Sequence, residues 1–237
     1  MVATTTLKAM TTEDKNLSSL QGDTTPFTDR IGILGAGRAG TALARAAATV
    51  GVPVNIASSR SPSQMKYHLA QYAPQATAVA AKDIGTDVSL VVLMVPQDDL
   101  DDVDPESLAG LTLIDATNRW DDMPLPIWLE DGQSAGLSSS EVIAEHFHSS
   151  RLVKALNHIS HWDLDSDSST RQAQQRALAV ASDHKAEAVL VARLVSTLGF
   201  TPVLVGKLAK GSLLEPEGEI FNQVLSVAQL RTLLHES

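Results

Sequence analysis

The stretch Arg30-Ile31-Gly32-Ile33-Leu34-Gly35-Ala36-Gly37-Arg38-Ala39-Gly40 restricts the possible fold more than any other part of the chain. An apolar β-run breaks into glycines and passes directly into a helical pattern. Gly35 suits a tight turn, Gly37 a close approach of the backbone to a pyrophosphate, and Gly40 close packing of the next helix on the strand. Thr41 to Ala48 is strong helix-forming sequence that ends before Gly51, a natural C-cap. At the start of such a helix the first N–H groups lack intrahelical partners and the dipole favours negative charge. Gly35, Ala36, Gly37, Arg38, Ala39 and Gly40 are therefore expected to hold the phosphates of a dinucleotide.

The second strand, Val52 to Ala57, runs into Ser58-Ser59-Arg60. A chain that binds NAD usually places Asp or Glu near this strand end, about twenty residues after the glycines, to accept hydrogen bonds from the ribose. Hydroxyls and a cation stand there instead. A carboxylate repels a 2′-phosphate, whereas Arg60 binds one through charge-assisted hydrogen bonds, so Ser59 and Arg60 point to NADP. The alternative is that Arg60 is a solvated loop arginine.

Further along, Ser61-Pro62-Ser63-Gln64 has the form of a capping box with proline at the first helical position, and Pro74 ends that helix. Thr77 to Val79 is a short third strand, and Asp87 to Val95 a fourth that is apolar enough to be buried on both faces. A fifth strand covers Leu111 to Ile114, after a short helix opened by Asp104-Pro105-Glu106. The sixth, Arg151 to Leu156, follows a helix begun by Ser138-Ser139-Ser140-Glu141. Strands and helices in alternation imply right-handed crossovers and a parallel sheet, with ligands at the strands' carboxyl ends. Val95, Pro96 and Gln97, and then Asp115 to Asn118, lie at two such ends. They are either the lining of a nicotinamide pocket or simply turn formers.

Arg119 to Gly136 reads as a long excursion carrying Trp120 and Trp128, either over a ligand cleft, at an oligomer contact or as a satellite of the core. Asp163 to Arg171, dense in Asp and Ser, reads as surface loop. Ala177 to Ser182, Asp183 to Leu198 and Phe200 to Val205 read as strand, helix and strand, the helix capped by Gly199. A C-terminal helical segment carries Ile220, Phe221, Val224, Leu225 and Leu230, and its apolar character makes a homodimer plausible.

The fold class expected is α/β: a Rossmann-type, doubly wound, mostly parallel sheet with a small C-terminal α/β portion. It divides into a flexible tail over 1–29, an NADP-binding domain over 30–150 and a smaller portion over 151–237 packed on the cofactor cleft. With 43% hydrophobic and 19% charged residues the composition is that of a globular protein. The net charge of −10 argues against a nucleic-acid partner. The absence of cysteine excludes disulfides, thiolate-held clusters and thiol catalysis. The N-terminus has no signal-peptide core and the longest apolar run is too short to span a bilayer, so a cytoplasmic protein with small-molecule partners is expected. His146 with His148 and His158 with His161 lack the carboxylate or thiolate ligands of a metal site, and no metal is expected.

Taken in order, Ile33 to Gly37, Ser59-Arg60, Val95-Pro96, Asp115 to Asn118, Val153 to Asn157, the pattern from Ser182-Asp183 to Leu198-Gly199-Phe200, and Leu214-Glu215 resemble one family. It is that of the NADP oxidoreductases that use the deazaflavin coenzyme F420. The resemblance implies hydride exchange between NADPH and the deazaflavin. It also implies that Gly35 to Gly40 hold the pyrophosphate, Ser59 and Arg60 the 2′-phosphate, and Val95 and Pro96 the nicotinamide side, with Asn118, at the end of the fifth strand, the further cofactor-binding candidate of the strand-end reading. Asn157 and His158 would lie near the reacting rings, positioning them. The chain departs from the family where a Leu-Ser-Asn-Ser-Arg-Leu-type segment is expected beside the deazaflavin, and reads Leu208-Ala209-Lys210-Gly211-Ser212-Leu213. Lys210 is the replacement cation this segment offers. The departure leaves other NADPH acceptors open, such as an imine, a flavin or ferric iron, as well as a binding module that senses NADPH without turnover.

Overall fold

Ile31 and Ile33 point to one face of the first strand while Gly32 and Leu34 point to the other, and all four are buried. A strand apolar on both faces belongs in the middle of a sheet covered on both sides. That is its place in the computed structural model, which describes residues 25–120, 123–167 and 176–236. The strands are β1 (Ile31–Leu34), β2 (Val54–Ala57), β3 (Thr77–Ala78), β4 (Leu90–Leu93), β5 (Thr112–Asp115), β6 (Arg151–Lys154), β7 (Ala177–Ala181) and β8 (Thr201–Gly206). They form one eight-stranded sheet in the order β3-β2-β1-β4-β5-β6-β7-β8. The order steps outward in both directions from the boundary between β1 and β4, the arrangement of a doubly wound Rossmann-type fold.

Helices α1 (Arg38–Thr49), α2 (Pro62–Tyr72), α5 (His161–Asp167) and α6 (Lys185–Thr197) carry apolar side chains into the core on one face, among them Leu43, Met65, Leu164 and Leu194. On the other face α3 (Ile127–Ser134) and α4 (Ser139–His146) contribute Leu129, Val142 and Ile143, packed with Val91, Leu93 and Leu113. A third cluster joins β7 and β8 to Leu214, Ile220 and Leu230 of α7 (Val227–Glu236). The apolar face of the C-terminal helix thus packs on the chain's own sheet.

The sheet is parallel through β6 and then reverses. β7 pairs antiparallel with β6 through Lys154 and Ala181, and β8 runs parallel to β7. Three expectations change locally. Part of the loop expected from Asp163 to Arg171 is the helix α5, because its acids have partners: Asp165 takes a two-pronged contact from Arg45 of α1, and Asp163 pairs with Arg176. Residues 168–171 of that stretch lie outside the described residues. The C-terminal helix starts only at Val227, with Ser226 and Gln229 closing its first turn, so Ile220, Phe221, Val224 and Leu225 precede it. The excursion from 119 to 136 contains the helix α3.

Of the expected tail, residues 1–24 lie outside the described residues. The rest is anchored: Phe27 is buried, and its N–H donates to Thr197 Oγ1 at 2.7 Å. Among the described residues no helix is long and apolar enough to cross a membrane. No group of three or more His, Cys, Asp or Glu side chains among them is placed to hold a metal ion.

Candidate cofactor and acceptor site

The glycine turn joins β1 to α1. Gly35 sits at φ 124°, and a Cβ there would fall 2.3 Å from the Met94 carbonyl oxygen. A Cβ on Gly40 would fall 1.8 Å from the Gly35 carbonyl, so the helix sits on the turn at a distance only glycine permits. Gly37 is different: its missing Cβ faces open space. It is also the N-cap of α1 and supplies no side-chain cap, while Arg38 and Ala39 are exposed. The N-terminus of a twelve-residue helix is thereby left uncapped beside an open surface, the arrangement that accepts a phosphate group.

A residue that sequence reasoning missed steadies this turn. His68 of α2 donates from Nε2 to the Ala36 carbonyl at 2.8 Å. Nothing local in the sequence ties position 68 to position 36; the contact exists because α2 packs beside α1.

At the end of β2, Ser59 and Arg60 are exposed. The Arg60 N–H donates to Ser58 Oγ at 3.1 Å, and Ser61 with Gln64 closes the capping box of α2 just beyond. Among the described residues the Arg60 guanidinium has no hydrogen bond or ion pair within the chain. A charged fork held at a strand end without an internal partner suits an anionic ligand group. The residues present therefore fit a dinucleotide with a phosphate on its adenosine ribose.

The carboxyl ends of β4 and β5 carry the second half of the site. Val95 is half-buried, Pro96 exposed, and Gln97, Thr117 and Asn118 are buried. Beneath them lies a polar network centred on Asp115. It accepts from Lys154 Nζ at 3.0 Å, Ser140 Oγ at 2.6 Å, and Thr117 through both N–H at 2.9 Å and Oγ1 at 2.7 Å. Burial opposes its charge, but Lys154 and the three donors hold its carboxyl below the usual carboxylate range. Lys154 also donates to the Thr117 carbonyl at 3.0 Å, so one ammonium fixes the turn from two sides.

Asn157 and His158 stand behind this turn rather than in the open cleft. Asn118 Nδ2 donates to the Asn157 carbonyl at 2.8 Å, and Asn157 Nδ2 donates to Asn118 Oδ1 at 3.1 Å and to the Leu214 carbonyl at 2.6 Å. The Ala179 N–H donates to His158 Nε2 at 3.1 Å, so the neutral ring carries its proton on Nδ1 and gives it to Asn157 Oδ1 at 3.3 Å. Burial, with Arg176 and Lys154 nearby, pushes the His158 pKa down to about 3. Both ring nitrogens are engaged in the interior. From the interior Asn157 fixes Asn118 and the Leu214 carbonyl, both of which belong to the wall of the turn and its neighbouring segment.

In front of the turn is a cavity of about 850 Å³, lined by Gln97, Asn118, Arg119, Trp120, Gln133 and the stretch from Ser212 to Glu219 without Leu214. Trp120 stands edge-on to Phe221 at this opening, whereas Trp128 stacks on His146 and donates to Asp101 Oδ1 at 2.7 Å, away from it. Of the departing segment, Ser212 and Leu213 reach the cavity but Lys210 does not, so the expected replacement cation is not at this wall.

Residues 30–119 match the family described as NADP oxidoreductase, coenzyme F420-dependent. Among solved structures, a hypothetical protein from Sinorhizobium meliloti is similar at 27% identity and a TM-score of 0.71, over 84% of this chain and 96% of that one. A protein from Arthrobacter sp. FB24, provisionally described as an F420-dependent NADP-reductase, is similar at 23% identity and a TM-score of 0.62, over 77% of this chain and 86% of that one. An imine reductase from Pseudomonas sp. shares the fold at 16% identity and a TM-score of 0.54, over 89% of this chain and 62% of that one. No curated protein matches in sequence. The segment from residue 30 to residue 119, which holds the glycine turn, Arg60 and the ends of β4 and β5, is thus similar to the family of F420-dependent NADP oxidoreductases, and the chain as a whole has a Rossmann-type fold.

Proposed function

We propose that the protein binds NADPH across the carboxyl edge of the sheet and passes a hydride to a small organic acceptor held in the cavity beside Gln97 and Trp120. The observation that carries this reading is the pairing of an uncapped helix N-terminus at Gly37 with an internally unpartnered Arg60 at the next strand end. In this reading the α1 N-terminus holds the pyrophosphate, and Ser59 and Arg60 hold the 2′-phosphate. Val95 and Pro96 flank the nicotinamide. Asn118 gives one amide N–H to Asn157 and offers its other to the carboxamide. When bound, the dihydronicotinamide supplies the hydride. The protein's task is to hold donor and acceptor carbons in line and to keep the polar turn from moving.

The family match reaches Arg119 and stops before the segment that would hold a deazaflavin. The deazaflavin remains the acceptor implied by the family, and it is the first to test. Stopped-flow mixing of protein and NADPH with oxidised deazaflavin, and separately with free flavin, follows each acceptor's visible absorbance. Rapid saturable bleaching of the deazaflavin supports the family activity. NADPH bound without reduction of either acceptor directs the search to the chemistry of the cavity.

A further inference from the structure

We infer that the acceptor is a small cation with an N–H group on the carbon–nitrogen double bond to be reduced, a protonated imine, selected by Gln97 together with Glu215, Glu217 and Glu219. The inference rests on the hydride-transfer reading above and names the substrate class of that site.

The first support is the orientation of one amide. The Thr117 hydroxyl has a single proton, and it goes to Asp115 Oδ1 at 2.7 Å. Thr117 Oγ1 can then only accept, and it accepts from Gln97 Nε2 at 3.2 Å. The Lys154-Asp115-Thr117 chain therefore fixes which way round the Gln97 amide lies. Its carbonyl oxygen is buried without a hydrogen-bond partner, on a residue 2% exposed that lines the cavity. A buried acceptor lacking a donor is costly to the protein, and a ligand that brings an N–H removes that cost.

The second support is charge. Glu215, Glu217 and Glu219 line the same cavity, and Arg119 is the one cationic side chain in its described lining. Ser139 Oγ donates to Glu215 Oε1 at 2.5 Å and holds that carboxylate to the wall beside α4. Three carboxylates against one guanidinium favour a cation and disfavour an acceptor with an anionic tail.

The third support is proton accounting. The described residues of the lining include no His, Lys or Tyr to donate a proton to a carbonyl oxygen as it gains charge. A protonated imine needs none. Its carbon accepts the hydride with the electron pair, the π pair of the carbon–nitrogen bond becomes the nitrogen lone pair, and the N–H proton stays in place. The products are a neutral amine and NADP⁺, so charge balances without proton transfer from the protein.

The test uses the whole chain with three acceptors: 1-piperideine below its pKa, cyclohexanone as its neutral counterpart of the same ring size, and oxidised deazaflavin. NADPH oxidation is followed for each, and binding of piperidinium is measured by calorimetry with NADP⁺ present. We expect kcat/KM for 1-piperideine to exceed that for cyclohexanone at least a hundredfold. The double variant Glu217→Gln/Glu219→Gln, at two exposed positions, should raise KM for the imine and Kd for piperidinium about tenfold, and Gln97→Leu should do the same. Kd for NADPH should change less than twofold in both. Equal use of the ketone, preference for the deazaflavin, or piperidinium binding indifferent to Glu217 and Glu219 overturns the inference while leaving hydride transfer standing. Piperidinium binding that depends on those carboxylates, with no acceptor oxidising bound NADPH, supports the cation selectivity and overturns the hydride-transfer reading instead.

Discussion

Lys154 Nζ lies 3.0 Å from Asp115 Oδ2 with both side chains wholly excluded from water. Removing one member of such a pair strands the other's charge in the interior, at about 3–5 kcal/mol. Lys154→Met should therefore lower unfolding free energy by about that amount, read from urea midpoints at pH 7. Asp115→Asn combined with Lys154→Met should recover part of the loss. Because the folded carboxyl lies below its ordinary value of 3.8, its stabilisation is present above pH 3.8 and is lost as the pH falls through the folded value. An additive double variant would show that the two charges do not interact.

In the proposed function Arg60 should separate the two nicotinamide dinucleotides. Hydrogen bonds to charged groups are worth roughly 1.5–3 kcal/mol, so Arg60→Ala should weaken NADPH about ten- to a hundredfold. NADH, which lacks the 2′-phosphate, should bind the variant as it binds the parent. Fluorescence titration with both cofactors checks this, and equal losses for the two would remove Arg60 from the phosphate site.

The glycines of the turn should divide by role. A methyl on Gly37 meets no protein atom, so Gly37→Ala should keep its urea midpoint and lose NADPH affinity about tenfold or more. A methyl on Gly40 collides with the Gly35 backbone, so Gly40→Ala should lose about 3 kcal/mol of stability or fail to fold. Reversal of that pattern would mean the turn is not the cradle described.

His158 should make the fold sensitive to mild acid. Its folded pKa of about 3 lies well below the unfolded value of 6.5, so between those limits the unfolded chain binds the extra proton. Stability from this residue is complete above pH 6.5 and falls by roughly 1.4 kcal/mol per unit below it. Urea unfolding at pH 7.5 and pH 5 should show that slope in the parent and a flatter one in His158→Gln. An unchanged slope would assign the acid sensitivity elsewhere.

What the sequence discloses depends on how local the cause is. β1 with the glycine turn and α1 is legible because the apolar run, the glycines and the alanine-rich helix are contiguous. The capping box at Ser61 is legible for the same reason. α5 is hidden because its Asp and Ser density reads as solvated loop, and the arginine that steadies Asp165 is Arg45, far away in the chain. The orientation of Gln97 is hidden too, since it depends on Thr117, Asp115 and Lys154, which only strand pairing brings together. The interior partners of His158 are hidden as well, since the Ala179 N–H that binds its ring comes from β7, on the far side of the reversal in the sheet.

The reversal between β6 and β7 has a consequence for how such a protein can change. The register across it is a single pair, Lys154 with Ala181, and the stem of Lys154 lies under Gly211, where an added Cβ would come within 3.2 Å of Cγ. The residues proposed to hold the nucleotide lie between residue 30 and residue 118, whereas much of the cavity wall comes from Ser212 to Glu219, beyond the seam. Selection can therefore rewrite that wall, and exchange one class of acceptor for another, without disturbing the dinucleotide grip, provided Lys154 and Gly211 keep the two pieces in register.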